Sequence, residues 1–257
     1  MTLPSLDLFD LSGRVALVTG AGSGIGAGIA ELLAEAHATV VIADIDEANA
    51  KRQAEVLGER GLKADTVRVD LADEASVVRG CADVVSRHGT PWVLVNNAGL
   101  QDRELLLEGT TAEWDRMIAV NARGPFLMTR EIARAMVARR QGGRIVNIAS
   151  TALIGSLVMG LAAYSSSKGA LLALSRASAL ELAEHSITVN TVLPGGVATP
   201  GSMGARGPAP LGPARRKPAL GFCEPRDIAA AVLYFAAPAA RHVTNQVIAV
   251  DAGWSVT

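Results

Sequence analysis

The chain has 257 residues, of which 49% are hydrophobic and 19% charged, and its formal net charge is −1. That composition excludes a disordered chain, and the balanced charge offers no broad attraction to nucleic acid or to an anionic membrane surface. Two cysteines, Cys81 and Cys223, cannot build a disulfide framework and point to a reducing, cytoplasmic setting. No apolar run reaches about 18 residues, so no membrane span is expected. The opening stretch carries acids where a secretory leader carries bases. His37, His88, His185 and His242 lie far apart, so no metal site is expected.

In chain order, "RVALVTG" (14–20) is a β-branched run that stops at glycine and reads as a buried strand. A helix is predicted over 24–36, a strand over 39–44, a polar-faced helix over 47–61 and a third strand over 65–70. The helix over 73–89 starts acidic and ends basic before a glycine, as the helix dipole favours. A fourth strand is predicted over 92–99, then a long helical stretch over 112–140, bent near Gly124-Pro125. A strand over 143–150, a helix across Tyr164–Glu184 and a strand over 187–195 follow. The Pro- and Gly-rich segment 200–221 reads as a mobile substrate loop. A helix over 224–237 and a seventh strand over 246–253 complete the pattern. Strand and helix alternate and the strands are nearly continuous apolar runs. The expected fold class is therefore α/β, a single domain over 1–257 with a doubly wound parallel sheet of about seven strands and helices on both faces.

"TGAGSGIG" (19–26) joins the first strand to the first helix. Gly20, Gly24 and Gly26 allow a tight turn and close approach to a pyrophosphate, which a helix N-terminus attracts. The second strand ends in Asp44, where a carboxylate can accept hydrogen bonds from an adenosine ribose and repel a 2′-phosphate. Ala21, Gly22, Ser23 and Ile45 bring no positive charge, so the expected cofactor is NAD rather than NADP. The alternative reading of Asp44 is a helix N-cap.

"YSSSK" (164–168) sets Tyr164 and Lys168 one helical turn apart on one face. Lowering a phenol pKa from about 10 to about 7 needs about 4 kcal/mol. One positive charge at about 4 Å supplies that much at an effective dielectric near 20, while burial opposes it. A lysine beneath the phenol, helped by an oxidised nicotinamide, would make Tyr164 a general base.

These motifs, with "NNAG" (96–99), Asn121 in "AVNARGPF", "GRIVNIAS" (143–150), "PGGVAT" (194–199) and "VDAG" (250–253), make the chain resemble the short-chain dehydrogenase/reductase superfamily in its compact form. The resemblance covers nearly the whole chain and implies a Rossmann-type fold. It implies cofactor contacts by Ser23 and Ile25 of the glycine turn, Ile45, Asp70 and Leu71, by Asn96, Asn97, Ala98 and Gly99, and by Pro194, Gly195, Val197 and Thr199. It implies a catalytic group of Asn121, Ser150, Tyr164 and Lys168, in which Tyr164 and Lys168 also meet the cofactor and Asn121 holds a water in a proton relay. The implied reaction is hydride transfer between NAD and a secondary alcohol, polyol or ketone, and the implied assembly a homotetramer. The helix after Tyr164, apolar over most of its circumference, suits a second subunit.

The sequence departs from the family in places. The serine usually lies thirteen residues before the tyrosine, which is Thr151; the strand end instead favours Ser150, and Thr151 stays a second candidate. Asn245 and Ala252 stand where the family often has glycine. Gln101 resembles the carboxylate-binding glutamine of 3-hydroxybutyrate dehydrogenases, but Ala152 and Leu161 replace its companions, so that clamp is incomplete. The expected substrate pocket holds Gln101, Ala152, Leu153, Val158, Met159, Val197 and Met203, with Arg206, Arg215, Arg216 and Lys217 in the loop. A silent dinucleotide sensor would not need the serine, tyrosine and lysine together. Extended-type epimerases have a longer C-terminal domain, and enoyl reductases space the tyrosine and lysine more widely.

Overall fold

The β-branched runs form strands β1 (Val15–Thr19), β2 (Thr39–Asp44), β3 (Ala64–Arg68), β4 (Val93–Asn96), β5 (Gly143–Ile148), β6 (Ile187–Pro194) and β7 (Val247–Val250). The computed structural model describes residues 8–155, 158–209 and 218–256. The strands make one parallel sheet in the order β3-β2-β1-β4-β5-β6-β7. The winding therefore reverses between β1 and β4, and a crevice opens there at the strand C-termini.

Side chains alternate across each strand. Ala16 and Val18 of β1, Val93 and Val95 of β4 and Val146 of β5 point to one face. Helices α1 (Gly24–Glu35), α2 (Glu47–Glu59) and α8 (Pro225–Ala236) cover it, with Leu33, Leu57 and Phe235 fully buried. Leu17, Leu94 and Ile145 point to the other face, under α3 (Glu74–His88), α5 (Gly124–Arg139) and α6 (Ala162–Leu182). Both faces are thus dry, which explains strands that read as continuous apolar runs. Among the described residues no helix is long and apolar enough to cross a membrane.

The predicted helix over 112–140 is three pieces: α4 (Thr111–Ile118), a π-helical turn (Ala119–Arg123) and α5. Pro125 has no N–H to return to the carbonyl of Asn121, and the Gly124 N–H reaches back to the Ala119 carbonyl instead. The wide turn carries the fully buried Asn121. Several strands stop short of their apolar runs, β4 at Asn96 and β5 at Ile148, because the chain leaves the ladder to line the crevice. In the segment read as a loop, Pro200–Met203 forms the short helix α7, and residues 210–217 lie outside the described residues. Helix α2 is capped by Asp46, whose carboxylate accepts from the Asn49 N–H at 3.0 Å, so Asp44 is not its N-cap.

Asn245 and Ala252 both adopt left-handed backbone, φ 58° and 54°. Asparagine tolerates that region, whereas alanine pays a Cβ clash of about 1 kcal/mol or more. Ala252→Gly is therefore expected to raise the thermal unfolding midpoint by roughly 2–4 °C, and Asn245→Gly to change it little. Differential scanning calorimetry of both variants checks this.

Candidate active site

The seam between β1 and β4 is fixed by two side chains. The Thr19 hydroxyl accepts the N–H groups of Asn97 (3.0 Å) and Ala98 (3.1 Å). The Asn97 amide donates to the carbonyls of Thr19 (2.9 Å) and Gly20 (3.2 Å). Beside this seam runs a cleft of about 970 Å³, within the usual range for small-molecule sites.

One end of the cleft is the glycine turn: Gly20, Ser23, Gly24, Ile25 and Gly26 line it. Gly24 has φ 56°, and a Cβ there would lie 3.1 Å from the Thr199 side chain, so the loop after β6 closes directly over the turn. Ser23 precedes α1 but its side chain does not cap it. Uncapped first-turn N–H groups along a cleft suit an anionic phosphate group. The Asp44 carboxylate, at the end of β2, accepts the N–H groups of Gly22 (2.9 Å) and Asp46 (3.0 Å). Ile45, Asp70, Leu71, Ala98 and Gly99 continue the wall, and Pro194, Gly195, Val197 and Thr199 form the far side. This donor set fits a nicotinamide dinucleotide: N–H groups for its pyrophosphate, a carboxylate for a ribose and apolar walls for its rings.

Asn96 is a correction. It is buried within the sheet and donates to Asn147 (2.8 Å) and Thr129 (3.1 Å), so it does not face the cleft. The last ladder residue of β4 points into the protein, and the chain exposes itself only from Asn97 onward.

The other end gathers Ser150, Tyr164 and Lys168, all at most 9% exposed. Ser150 follows β5; its hydroxyl accepts the Ala152 N–H (3.1 Å) and stands near enough to the Tyr164 phenol to favour its ionised form. The Thr151 hydroxyl instead donates to the Pro194 carbonyl (3.1 Å), which separates the two candidates for the serine position. Lys168 donates to the Ile148 carbonyl (2.8 Å) and its ammonium lies 5.8 Å from the centre of the Tyr164 ring. Burial pushes the Tyr164 phenol up and the neighbouring Ser150 hydroxyl opposes it. Burial also draws Lys168 down to about 8. Lysine alone therefore does not make this phenol a base.

Asn121 is not placed to hold a relay water with its side chain. Its amide donates to the Leu100 carbonyl (2.9 Å) and the Ser167 hydroxyl (3.0 Å), and its carbonyl accepts the Leu100 N–H (2.8 Å). It locks the loop after β4 onto α6. A Cβ on Gly99 would lie 3.2 Å from both Asn121 Oδ1 and Lys168 Nζ, so a bare residue is needed there.

Of the expected substrate residues, Gln101, Ala152 and Val158 line the cleft. Leu153, Met159 and Met203 do not. Leu153 ends a 3-10 turn with its side chain toward α6, and Met159 and Met203 are 54% and 75% exposed. Arg206 pairs with Asp102 and Glu113, both at 3.1 Å. Arg215, Arg216 and Lys217 lie outside the described residues. Sequence reasoning missed Asp102, Arg103, Arg116, Phe222 and Trp254, which also line the cleft. Asp102, Arg103 and Trp254 sit just beyond recognised motifs, and Arg116 and Phe222 in segments without one.

A dinucleotide crevice with a buried serine–tyrosine–lysine group at one end defines a nicotinamide-dependent oxidoreductase. The chain belongs to the short chain dehydrogenase family, whose model matches residues 14–208. It is 43% identical over 189 residues to an uncharacterized oxidoreductase of Thermotoga maritima, covering 74% of this chain and 73% of that protein. It is 38% identical to momilactone A synthase of Oryza sativa subsp. japonica, covering 98% and 93%. A gluconate 5-dehydrogenase from Burkholderia cenocepacia, solved with NADP and tartrate, superposes with a TM-score of 0.89 at 32% identity over 99% of this chain and 100% of that one.

The lowered Lys168 pKa has a consequence for stability. Its folded value, about 8, lies below the ordinary 10.5, so between these the unfolded chain binds more protons. This group therefore adds stability as pH rises from about 8 to 10.5, and the cost of burying the charge is fully present below 8. In urea unfolding at stepped pH, the wild type is expected to gain on Lys168→Met across that window; parallel curves would refute it.

Proposed function

We propose that this protein is an NAD-dependent dehydrogenase that interconverts a secondary alcohol or polyol and its ketone. The observation that carries the reading is the burial of Ser150, Tyr164 and Lys168 together in the wall of a dinucleotide cleft. When bound, the oxidised dinucleotide supplies a hydride acceptor and a positively charged ring. Ser150 orients the substrate oxygen by hydrogen bonding. Tyr164 takes the alcohol proton, or returns it to the carbonyl oxygen in reduction. Lys168 stabilises the phenolate, and a value near 8 lets it exchange its own proton at working pH. Asn121 acts by position, holding Leu100 and α6 together.

The NAD preference is supported by Asp44 and by the absence of a basic residue at 21–23 and 45. The Burkholderia relative carries NADP, so the family accommodates both. Its tartrate and its name favour a second reading, a hydroxy-acid or sugar-acid dehydrogenase. A catalytically silent sensor is the less favoured class, because it has no use for the buried trio. The two buried free thiols are in keeping with a cytoplasmic setting.

With NAD or NADP and a panel of secondary alcohols, polyols and hydroxy acids, absorbance at 340 nm is expected to rise with NAD. Tyr164→Phe should lower turnover about 10²–10⁴-fold while NAD still binds by calorimetry. Retained turnover would sink the mechanism, and a clear NADP preference would sink the role of Asp44.

We also propose a homotetramer. Trp114 on α4, Phe126 on α5 and Leu180 on α6 are 43%, 46% and 82% exposed, large apolar side chains that a second subunit could cover. Sedimentation equilibrium should give four times the chain mass; a monomer would remove the proposal.

A further inference from the structure

The charged side chains on the substrate side of the cleft are committed to one another. Asp102 accepts the Arg206 N–H at 2.7 Å and its guanidinium at 3.1 Å. Arg116 pairs with Asp102 and, at 2.8 Å, with Glu113, which also receives Arg206. The Arg103 guanidinium donates to the carbonyls of Pro208 (2.8 Å) and Ala205 (3.4 Å). Two cations and two anions thus cancel within one knot, Arg103 is held by carbonyls, and Gln101 is the polar side chain on this side left without a hydrogen bond among the described residues.

The opposite wall is aromatic. Phe222 lines the cleft yet is 62% exposed, and Trp254 lines it beside Phe222. A Cβ on Gly196 would lie 3.0 Å from Trp254 Cζ3 and 3.4 Å from Phe222 Cδ1, so both rings lie against one bare stretch of backbone just after β6. The turn that carries Trp254 is built on Asp251, whose carboxylate accepts the N–H groups of Gly253 (3.0 Å) and Ser255 (2.8 Å). The chain has only four Phe, three Trp and two Tyr, yet one of each lines this cleft. Flat aromatic faces bury aliphatic rings well, whereas an acyclic polyol would leave hydroxyl groups without partners against them.

We propose that Phe222 and Trp254 form an aromatic shelf that selects a secondary alcohol or ketone with a rigid apolar ring body over an acyclic polyol. This rests on the dehydrogenase reading and narrows its substrate class.

The test compares decalol with sorbitol as substrates and measures decalone binding to the NADH-loaded enzyme by calorimetry. The expected kcat/KM for decalol exceeds that for sorbitol by about 100-fold. Phe222→Ala and Trp254→Ala should each lower that ratio about 10-fold, with Trp254→Phe restoring most of it. Phe222 is exposed, so its replacement leaves the core untouched. If sorbitol is oxidised as well as decalol, or the ratio is unmoved in both alanine variants, the shelf is overturned and the dehydrogenase reading stands. If no alcohol is oxidised but decalone binds and Phe222→Ala weakens it, the shelf stands and the dehydrogenase reading falls. Neither turnover nor binding overturns both.

Discussion

Everything in this molecule's chemistry depends on holding β1 and β4 together at the point where their chain connections depart in opposite directions. Parallel strands that wind away from each other leave their C-terminal ends uncovered. Without cross-ties the carbonyls of Thr19 and Gly20 would face a crevice unpaired. Asn97 satisfies both of them, and Thr19 in turn receives the backbone of Asn97 and Ala98. Four hydrogen bonds between two residues and their backbones thus set the width of the crevice and the position of the glycine turn on one lip.

The serine–tyrosine–lysine group hangs from the neighbouring strand. Ser150 lies two residues beyond β5, and Lys168 donates to the carbonyl of Ile148, the last residue of β5. Tyr164 reaches the same place from α6 and meets Ser150. The buried face of α6 carries Ser167, Ser175 and Ser178 beside Leu171 and Ala179, and Asn147 of β5 donates to Ser175 at 2.7 Å. Small side chains and a strand-to-helix hydrogen bond bring the helix close enough for its first turn to share a site with a strand end. Burial acts against charge at both titratable groups, raising the phenol and lowering the ammonium. A further positive charge in the cleft would favour the ionised phenol.

The strands, the glycine turn and the serine–tyrosine–lysine group were legible because each is written locally: a β-branched run, a glycine spacing, a helical i,i+4 pair. Less legible was anything decided by how far a ladder runs. Asn96 and Asn97 are identical letters, yet one is sealed inside the sheet and the other ties the seam, and only the end of pairing tells them apart. The same limit applies to Asn121, whose side chain is engaged by Leu100 because a π-helical turn, not a simple bend, precedes Pro125. The substrate wall was read least well. Leu153, Met159 and Met203 are apolar and near the right motifs, but short turns rotate them away. Phe222 precedes α8 and Trp254 follows the "VDAG" motif on a turn held by Asp251, and nothing local in the sequence says that the two rings meet at Gly196.

The separation between these two groups of residues has an evolutionary meaning. The serine, tyrosine and lysine are referenced to the end of a central strand buried on both faces, whereas the residues that would meet a substrate body sit on peripheral turns and on the segment after α7. Exchanging the latter would alter the cleft wall without disturbing the packing of the serine, tyrosine and lysine. One rigid reaction centre can thus be inherited unchanged while its clientele diversifies by drift in surface loops.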